Sequence, residues 1–450
     1  MAEAEASVDR ISFLPFELKV SILSCLRIDD AVRTSALSRS WRYIWTHLPC
    51  LRLDSLRDPL CNTCDDHAVS SSWVQRVHRL VSSLRGPLLV FELHFYDHSF
   101  VLYDECVFIV QSLLDLLLQK GGVESLHLSF FNATAIIHLP CFHSLRELVL
   151  SACHVALPTG FRGFHRLETL SMFLVRISND DLNLLLRTSN NLTSLDIENC
   201  GFLENPLSVN LSLPLLRHLE FTIDELVENF SVVSSPCLEH AGITIRYDST
   251  DYSSQNLAQM VMRQVTSVAM VSSLILNFDV LKCLSLVVLP FNFTIPQLRF
   301  LMFYLNVNTM DRRVYDAFFW LLRSMPLLKE LEVELERTTD YDQADRVPIL
   351  MRELLVKKHD GFACLERTVT SVTIYTSWLD VIASIAWIQF FLLNAKGLKL
   401  LKIDYSSGDD RIPRFIGELQ KEEVTSSDAK VMFFNRATCQ ITNLRTNDSN

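Results

Sequence analysis

The sequence predicts an α/β architecture in which a short helical module precedes a solenoid of parallel strands, with the strands on a concave face and helices or irregular segments on the convex face. Three observations carry this reading. Leu14, Pro15, Leu18, Ile22, Leu23, Leu26, Leu37, Trp41 and Trp45 form a compact apolar cluster near the start of the chain. From residue 88 onward the pattern Leu-x-x-Leu-x-Leu returns repeatedly, with other aliphatic or aromatic residues at the Leu positions. Its first positions at Val123, Leu145, Leu167, Leu192, Leu216 and Leu238 lie 22, 22, 25, 24 and 22 residues apart. Regular spacing in this range is the signature of a leucine-rich repeat, in which each unit buries its apolar face only against its neighbours.

Within the leading module, Leu18, Ile22 and Leu26 recur at four-residue steps and so share one helical face. Pro15 can open that helix, because a first-turn position needs no backbone N–H. Asp29 or Asp30 offers a cap for a second helix, and from Ala31 the fourfold spacing places Leu37, Trp41 and Trp45 along one side. A module of about 40 residues buries little apolar surface against itself, so the remainder is expected to face either a partner or the body of the chain.

The stretches Asp9–Leu18, Ile22–Leu26 and Ala31–Arg42 resemble an F-box of the plant type, over residues 9–50. The resemblance implies a module that binds the Skp-type adaptor of a cullin-RING ubiquitin ligase. The following segment then selects a protein substrate. It implies further that Leu14, Pro15, Leu18, Ile22, Leu23, Leu26, Leu37 and Trp41 are adaptor contacts or their direct support. Phe16 and Lys19 depart from the aliphatic or acidic residues more usual at those positions. The competing expectation is a leucine-rich repeat scaffold or inhibitor outside any ligase, with the leading helices serving only as a structural cap.

A connector and a first helix are expected over 51–87, repeats over 88–359, and a flexible tail over 436–450. Further motif starts fall at Val90, Leu298, Leu328, Val369 and Leu398. Pro214, Pro236, Pro296 and Pro326 each stand two residues ahead of a motif start, an independent punctuation of the same register. Between Leu238 and Leu298, Val265, Val271 and Leu281 can each begin a unit. Returning helices are expected at Asp104–Gln119, stopped by Gly121-Gly122, at Asp180–Arg187 and at Val314–Met325. Cys153 and Cys200, three residues beyond Leu150 and Ile197, sit where such repeats place Asn or Cys to satisfy turn backbone.

From about Asp360 the text changes. Cys364-Leu365, Val369–Ile374, Trp387–Leu393, Asn394–Leu398, Leu401–Ile403 and Val431–Phe434 resemble the FBD segment that closes many plant F-box/leucine-rich repeat proteins. That resemblance implies an α+β C-terminal cap over 360–435.

Alternation turns the third, fifth and seventh residues of each strand outward. Those positions give Asp196 and Glu198, His218 and Glu220, Phe300 and Tyr304, and Glu330, Glu332 and Glu334 as substrate-face candidates. Several rungs are acidic, so the face is expected to prefer basic or mixed-charge partners, with Phe300 and Tyr304 as aromatic anchors. A merely solvated strand face is the plainer alternative.

The 41 basic and 52 acidic residues leave a net charge of -11, which argues against nucleic acid or an anionic membrane as the main partner. The apolar run Trp378–Ala395 is broken by Asp380 and Gln389 and reads as a buried helix. Twelve cysteines at uneven spacing, behind a start lacking the basic-then-apolar pattern of a secretory signal, fit reduced thiols in nucleus or cytoplasm. Cys61, Cys64 and His67 resemble half a zinc site, but no second pair follows nearby and no metal is expected. No phosphate-binding loop, nucleophile elbow or His-Glu-x-x-His occurs, so the expectation is a non-catalytic protein without a cofactor.

Overall fold

The computed structural model describes residues 11–55, 67–95, 104–130, 136–200, 207–223, 227–246, 255–290, 292–306, 311–336, 354–355, 359, 361–376, 381–405, 429–436 and 438–444 of the chain. Cys61, Cys64, most of the expected polar connector and residues 445–450 lie outside the described residues. The chain forms two compact units, residues 1–216 and 217–450.

The first unit opens with helices Phe16–Ser24 and Ile28–Arg33, followed by single helical turns at Thr34–Ala36 and Ile44–His47. Parallel strands then follow in chain order: Cys50–Asp54, Val90–Phe95, Ser125–Phe130, Glu147–Ser151, Thr169–Phe173 and Ser194–Glu198, each paired with the next. Inward residues such as Leu148, Leu150, Leu170 and Met172 are fully buried, while Glu147, Val149 and Ser151 between them stay half-exposed. Each such aliphatic side chain contributes about 1.5–3 kcal/mol on burial, so the repeated alternation is what fixes the register. Ala152, Leu174 and Asn199 follow directly on successive strands, all at positive φ, as one turn used three times. In the last of these turns the Cys200 thiol approaches the carbonyls of Met172 and Glu198 at 3.5 Å, the turn-satisfying role expected of it.

Helices His67–Ser83, Asp104–Lys120 and Asn179–Thr188 return between strands. The second is stopped as expected, since Gly121 and Gly122 adopt φ of +67° and +84° and the Gly121 N–H caps the Leu117 carbonyl. The third is capped by Ser178, whose hydroxyl accepts from the Asp181 N–H at 3.1 Å.

In the second unit, strands His218–Ile223, His240–Ile245, Ser273–Leu276, Phe300–Asn306, Glu330–Glu336, Ser371–Thr376, Leu400–Tyr405 and Lys430–Asn435 pair in parallel, each with the next. Helices Gln255–Ser267, Phe278–Leu284, Arg312–Arg323, Ala363–Arg367 and Val381–Asn394 return between them. The expected buried helix is the last of these, with Trp387, Ile388, Phe390 and Phe391 fully buried. Among the described residues no helix is long and apolar enough to cross a membrane.

The prolines ahead of the motifs have a geometric role. The N–H groups of Leu216, Leu238, Leu298 and Leu328 donate to the carbonyls of Leu213, Ser235, Ile295 and Met325, which puts each proline second in a four-residue turn. Its fixed φ suits that position.

Three expectations change, and one register left open is resolved. Val90 is a third position, not a first: it pairs with Ser125, so the unit begins at Leu88. Both registers satisfy the apolar pattern, and pairing decides between them. The sheet begins earlier than residue 88, because Leu48-x-x-Leu51-x-Leu53 precedes a strand that pairs in register with Val90–His94 and takes up part of the expected connector. Of the three possible starts after Leu238 only Val271 leads into a strand, while Val265 and Leu281 lie in helices. Finally, Gln440–Leu444, expected in a flexible tail, pairs antiparallel with Lys430–Asn435 and closes the edge of the last parallel strand.

Gly163 marks a tight point. It sits at φ +101°, and a Cβ there would come within 2.3 Å of the Thr188 Cβ. Gly163→Ala is expected to destabilise the first unit by more than about 1 kcal/mol, read as a fall in the urea midpoint.

Candidate functional site

The leading module divides its apolar residues between two faces. Leu23, Ala31, Trp41, Ile44 and Leu48 form a small buried cluster, with Val20, Ile28 and Trp45 packed against it. The opposite face stays open, with Leu18 51%, Ile22 42%, Leu26 42% and Leu37 69% exposed. Leu14 is half-buried and Pro15 exposed at the head of the first helix. The eight adaptor-face candidates therefore separate into an exposed row and two buried supports, Leu23 and Trp41. Ile11, Phe13 and Phe16 extend the exposed apolar surface, Phe13 at 80% exposure, and helical spacing did not single them out because two of them precede the helix.

Lys19 shares the inner face of the helix with Leu23. Its ammonium donates to the Ser12 carbonyl at 2.8 Å and lies 5.6 Å from the centre of the Trp41 ring, which gives a buried cation both a hydrogen bond and a π face. The unusual Phe16 packs edge-on against His47 at 5.0 Å.

Two local expectations fail here. The second helix starts at Ile28 behind Arg27, so Asp29 and Asp30 stand in its first turn, favourable to the helix dipole, and not at its cap. Leu37, Trp41 and Trp45 do not share one helical side. The helix ends at Arg33, and the turns that follow leave Leu37 exposed, Trp41 buried and Trp45 half-buried.

Leu48 links this module to the first repeat, being both part of the small cluster and the start of the first motif. The Thr46 carbonyl accepts from the N–H groups of Arg85 and Gly86, and the Arg85 guanidinium lies 5.2 Å from the Tyr43 ring. A Cβ on Gly86 would meet the His47 Cα at 3.0 Å, so glycine permits the close approach.

The outward strand faces hold the other candidates. In the first unit Asp196 and Glu198 are half-buried, and the Ser171 hydroxyl donates to Asp196 at 3.0 Å. In the second unit His218 and Glu220 are exposed, and His240 Nε2 lies 3.6 Å from Glu220 Oε1. The hydrogen bond from His240, with further help from the His240 and His218 charges, holds the Glu220 carboxyl below its usual 4.5 against the opposing effect of partial burial. Its small contribution to stability is therefore present above that ordinary value and is lost as pH falls through the lower folded value. A carboxylate NMR titration should place Glu220 below the ordinary value, and His240→Ala should restore it.

Phe300 and Tyr304 are half-buried beside the exposed Glu330 and the half-buried Glu332 and Glu334, paired as Phe300–Glu330, Met302–Glu332 and Tyr304–Glu334. The next strand places Ser371, Thr373 and Tyr375 opposite those carboxylates. Partial burial, with the charge and hydrogen bond of Glu332, pushes the Tyr375 phenol up to about 12.

Beyond Tyr375 the acidic character ends. Buried Asp404 accepts from Lys402 Nζ at 2.8 Å and from the Arg436 guanidinium. Those two cations also cover aromatic rings, Lys402 that of Phe434 at 4.8 Å and Arg436 that of Tyr375 at 5.1 Å. The expected acidic face is thus an acidic column followed by a basic-aromatic one. No local motif signals this network, because Lys402 and Asp404 on one strand meet Arg436 and Tyr375 from distant parts of the sequence. The arrangement is suited to binding. Burial pushes the Cys153 and Cys283 thiols up to about 12 and that of Cys364 to about 11, which leaves each a packed thiol and not a nucleophile.

Comparison with known proteins agrees with both halves of this description. Residues 11–53 match the F-box domain model. Residues 110–333 match the model described as FBD-associated F-box protein At5g56370, LRR repeats. Among curated relatives, the chain is 24% identical to Putative FBD-associated F-box protein At5g56820 of Arabidopsis thaliana over 58% of this chain and 61% of that one. It is 27% identical to F-box/FBD/LRR-repeat protein At1g13570 of the same plant, over 55% of this chain and 58% of the relative. With Putative F-box/LRR-repeat protein At5g02930, also of Arabidopsis thaliana, it shares 26% identity over 73% of each chain. The chain spans about three-fifths of the length of the first two relatives.

Proposed function

Because this chain is an F-box protein with leucine-rich repeats of the FBD-associated type, we propose that it is the non-catalytic substrate-recognition subunit of a Skp-cullin-F-box ubiquitin ligase. The F-box docks the Skp-type adaptor, and the repeats hold a protein substrate on their outward strand face. Its contribution is positioning: a substrate held beside a charged conjugating enzyme meets it at high effective concentration. The nucleus or the cytoplasm, where such ligases and reduced thiols coexist, is the proposed site of action.

The observation that carries the reading is the exposed row Leu18, Ile22, Leu26 and Leu37, backed by a separate buried cluster. Apolar residues left outside a complete core mark an interaction surface. A purely structural cap would spend them on the rest of the chain.

Size-exclusion chromatography with a purified Skp-type adaptor tests this. The unsubstituted chain is expected to co-elute with the adaptor. Ile22→Asp and Leu37→Asp, placed on exposed positions, are expected to lose co-elution by placing a charge in an apolar contact while leaving the melting temperature within a few degrees. A chain that elutes alone in both forms would instead be a scaffold outside the ligase.

A further inference from the structure

Strand Glu330–Glu336 carries Glu330, Glu332 and Glu334 on its outward face, at alternate residues and so about 6–7 Å apart. Among the described residues the ion pairs of the second unit join Arg217 to Glu239, His240 to Glu220, and both Lys402 and Arg436 to Asp404, so none reaches this column. Glu330 stands at the start of the strand beside the exposed Arg299 and Lys329, whose charges weaken its pull on a further cation. Glu332 and Glu334 lie further in.

Their neighbours are of two kinds. Glu332 lies between Met302 and Thr373, and Glu334 between Tyr304 and Tyr375, on the two adjacent strands. Thr373 is outward, because Val372 and Ile374 beside it are fully buried. It is nonetheless only 9% exposed, and its hydroxyl has no hydrogen-bond partner among the described residues. A buried hydroxyl ordinarily has one. Lys402, opposite Thr373 on the far side, supplies none, since its ammonium is turned to Asp404 at 2.8 Å and to the Phe434 ring at 4.8 Å.

The carboxylates line up only along the strand. Across the sheet in one direction the level of Glu332 continues with Met302 and Ile275, which carry no charge. In the other direction lie the Lys402–Asp404–Arg436 group, where two cations share one carboxylate, and then the exposed Lys430. A basic segment crossing that way would meet like charge.

We propose, resting on the reading of this outward face as the substrate surface, that the segment it takes is extended and lies along Glu330–Glu336. That segment presents arginine at two alternate residues, one over Glu332 and one over Glu334. An extended chain repeats every second side chain at the same 6–7 Å or so as the strand beneath it. Arginine is preferred to lysine for two reasons. Its planar fork donates to the Glu332 carboxylate and the Thr373 hydroxyl together. Above Glu334 it meets half-buried tyrosine rings on both sides, one of which, Tyr375, already holds the Arg436 guanidinium in this way at 5.1 Å.

The test is fluorescence anisotropy of the full chain with labelled peptides of about six residues that differ only in spacing or cation. They carry Arg-Ser-Arg, Arg-Arg-Ser or Lys-Ser-Lys within the same serine-glycine flanks. Saturable binding of Arg-Ser-Arg is expected, weakening as salt rises. The other two should bind about tenfold more weakly, Arg-Arg-Ser because adjacent residues of an extended chain point to opposite faces. Glu332→Gln and Glu334→Gln should each weaken Arg-Ser-Arg binding about tenfold. Glu168→Gln, which removes an exposed carboxylate of the first unit, should leave it unchanged. Thr373→Val should reduce the preference for arginine over lysine. No binding of Arg-Ser-Arg, equal binding of Arg-Arg-Ser, full binding by both glutamine variants, or an arginine preference untouched by Thr373→Val would overturn the proposal. A dimer that forms without peptide and is lost in Glu334→Gln would assign the face to a second copy and overturn it equally. Adaptor co-elution is read separately. A chain that holds the adaptor but no arginine peptide refutes this assignment alone, and one that binds the peptide but not the adaptor refutes the ligase reading alone.

Discussion

Trp387→Ala is expected to lower the stability of the second unit by about 3–5 kcal/mol, a large part of what a domain of ordinary stability possesses. Trp387 is fully buried on helix Val381–Asn394. Its ring meets Phe318 edge-on at 5.1 Å and Phe390 edge-on at 6.0 Å, and stacks on Phe391 at 6.0 Å. Phe318 in turn packs edge-on against Phe303, an inward residue of strand Phe300–Asn306. The indole thus connects two helices to the sheet that carries the candidate substrate face. Deleting it leaves a cavity between rigid rings that cannot collapse into the space, which puts the cost at the upper end for a large-to-small change. Urea denaturation followed by far-UV circular dichroism reads the effect. A loss below about 1 kcal/mol would show that the aromatic cluster is not the core of this unit.

Trp41→Ala is the second large effect, and it is expected to be local. The buried cluster of the F-box has only five members, and Trp41 is the largest. Removing it costs about 3–5 kcal/mol, more than a module of this size can lose while staying folded. The same change also takes away the ring beneath the buried Lys19 ammonium. Native-state hydrogen exchange should show helix Phe16–Ser24 losing protection while strands such as Glu147–Ser151 keep theirs. Co-elution with the adaptor should disappear together with that protection, in contrast to Ile22→Asp, which should lose binding while retaining it. Equal loss of protection throughout residues 1–216 would mean that the repeats depend on the F-box for their folding.

How much of this was legible in the sequence depended on whether the signal was periodic or non-local. Leu148 and Leu150, or Leu301 and Phe303, are visible in advance because alternation with burial is a property of each strand by itself. The turn prolines are visible for a similar reason, since each acts within four residues. Register is less secure. Leu88-x-x-Phe91-x-Leu93 and Val90-x-x-Leu93-x-Phe95 are equally good patterns, and only pairing with Ser125 selects the first. The motif at Leu48 was hidden because the same residues complete the F-box, where Leu48 also serves the small core.

The site followed the same division. Helical spacing groups Leu18 and Ile22 on one face, while Leu26, expected on the same helix, lies past its end at Ser24 and is exposed with them; spacing does not say which face is turned to the core. The inner face carries Lys19, a residue that composition alone would place in water, and its burial depends on the Ser12 carbonyl and the Trp41 ring. The Tyr375, Lys402, Asp404 and Arg436 network was not legible at all. Its contacts join distant residues, Arg436 to Asp404 and to the still earlier Tyr375, and they come together only when the strands align.

The central claim is that the F-box keeps an apolar face for another polypeptide, and hydroxyl-radical footprinting of Leu18, Ile22, Leu26 and Leu37 tests it most directly. Ready oxidation of these four side chains is expected in the free chain, strong protection when the Skp-type adaptor is added, and little reaction at Leu23 and Trp41 in either state. Four side chains already protected in the free chain, or equally reactive with the adaptor present, would contradict it.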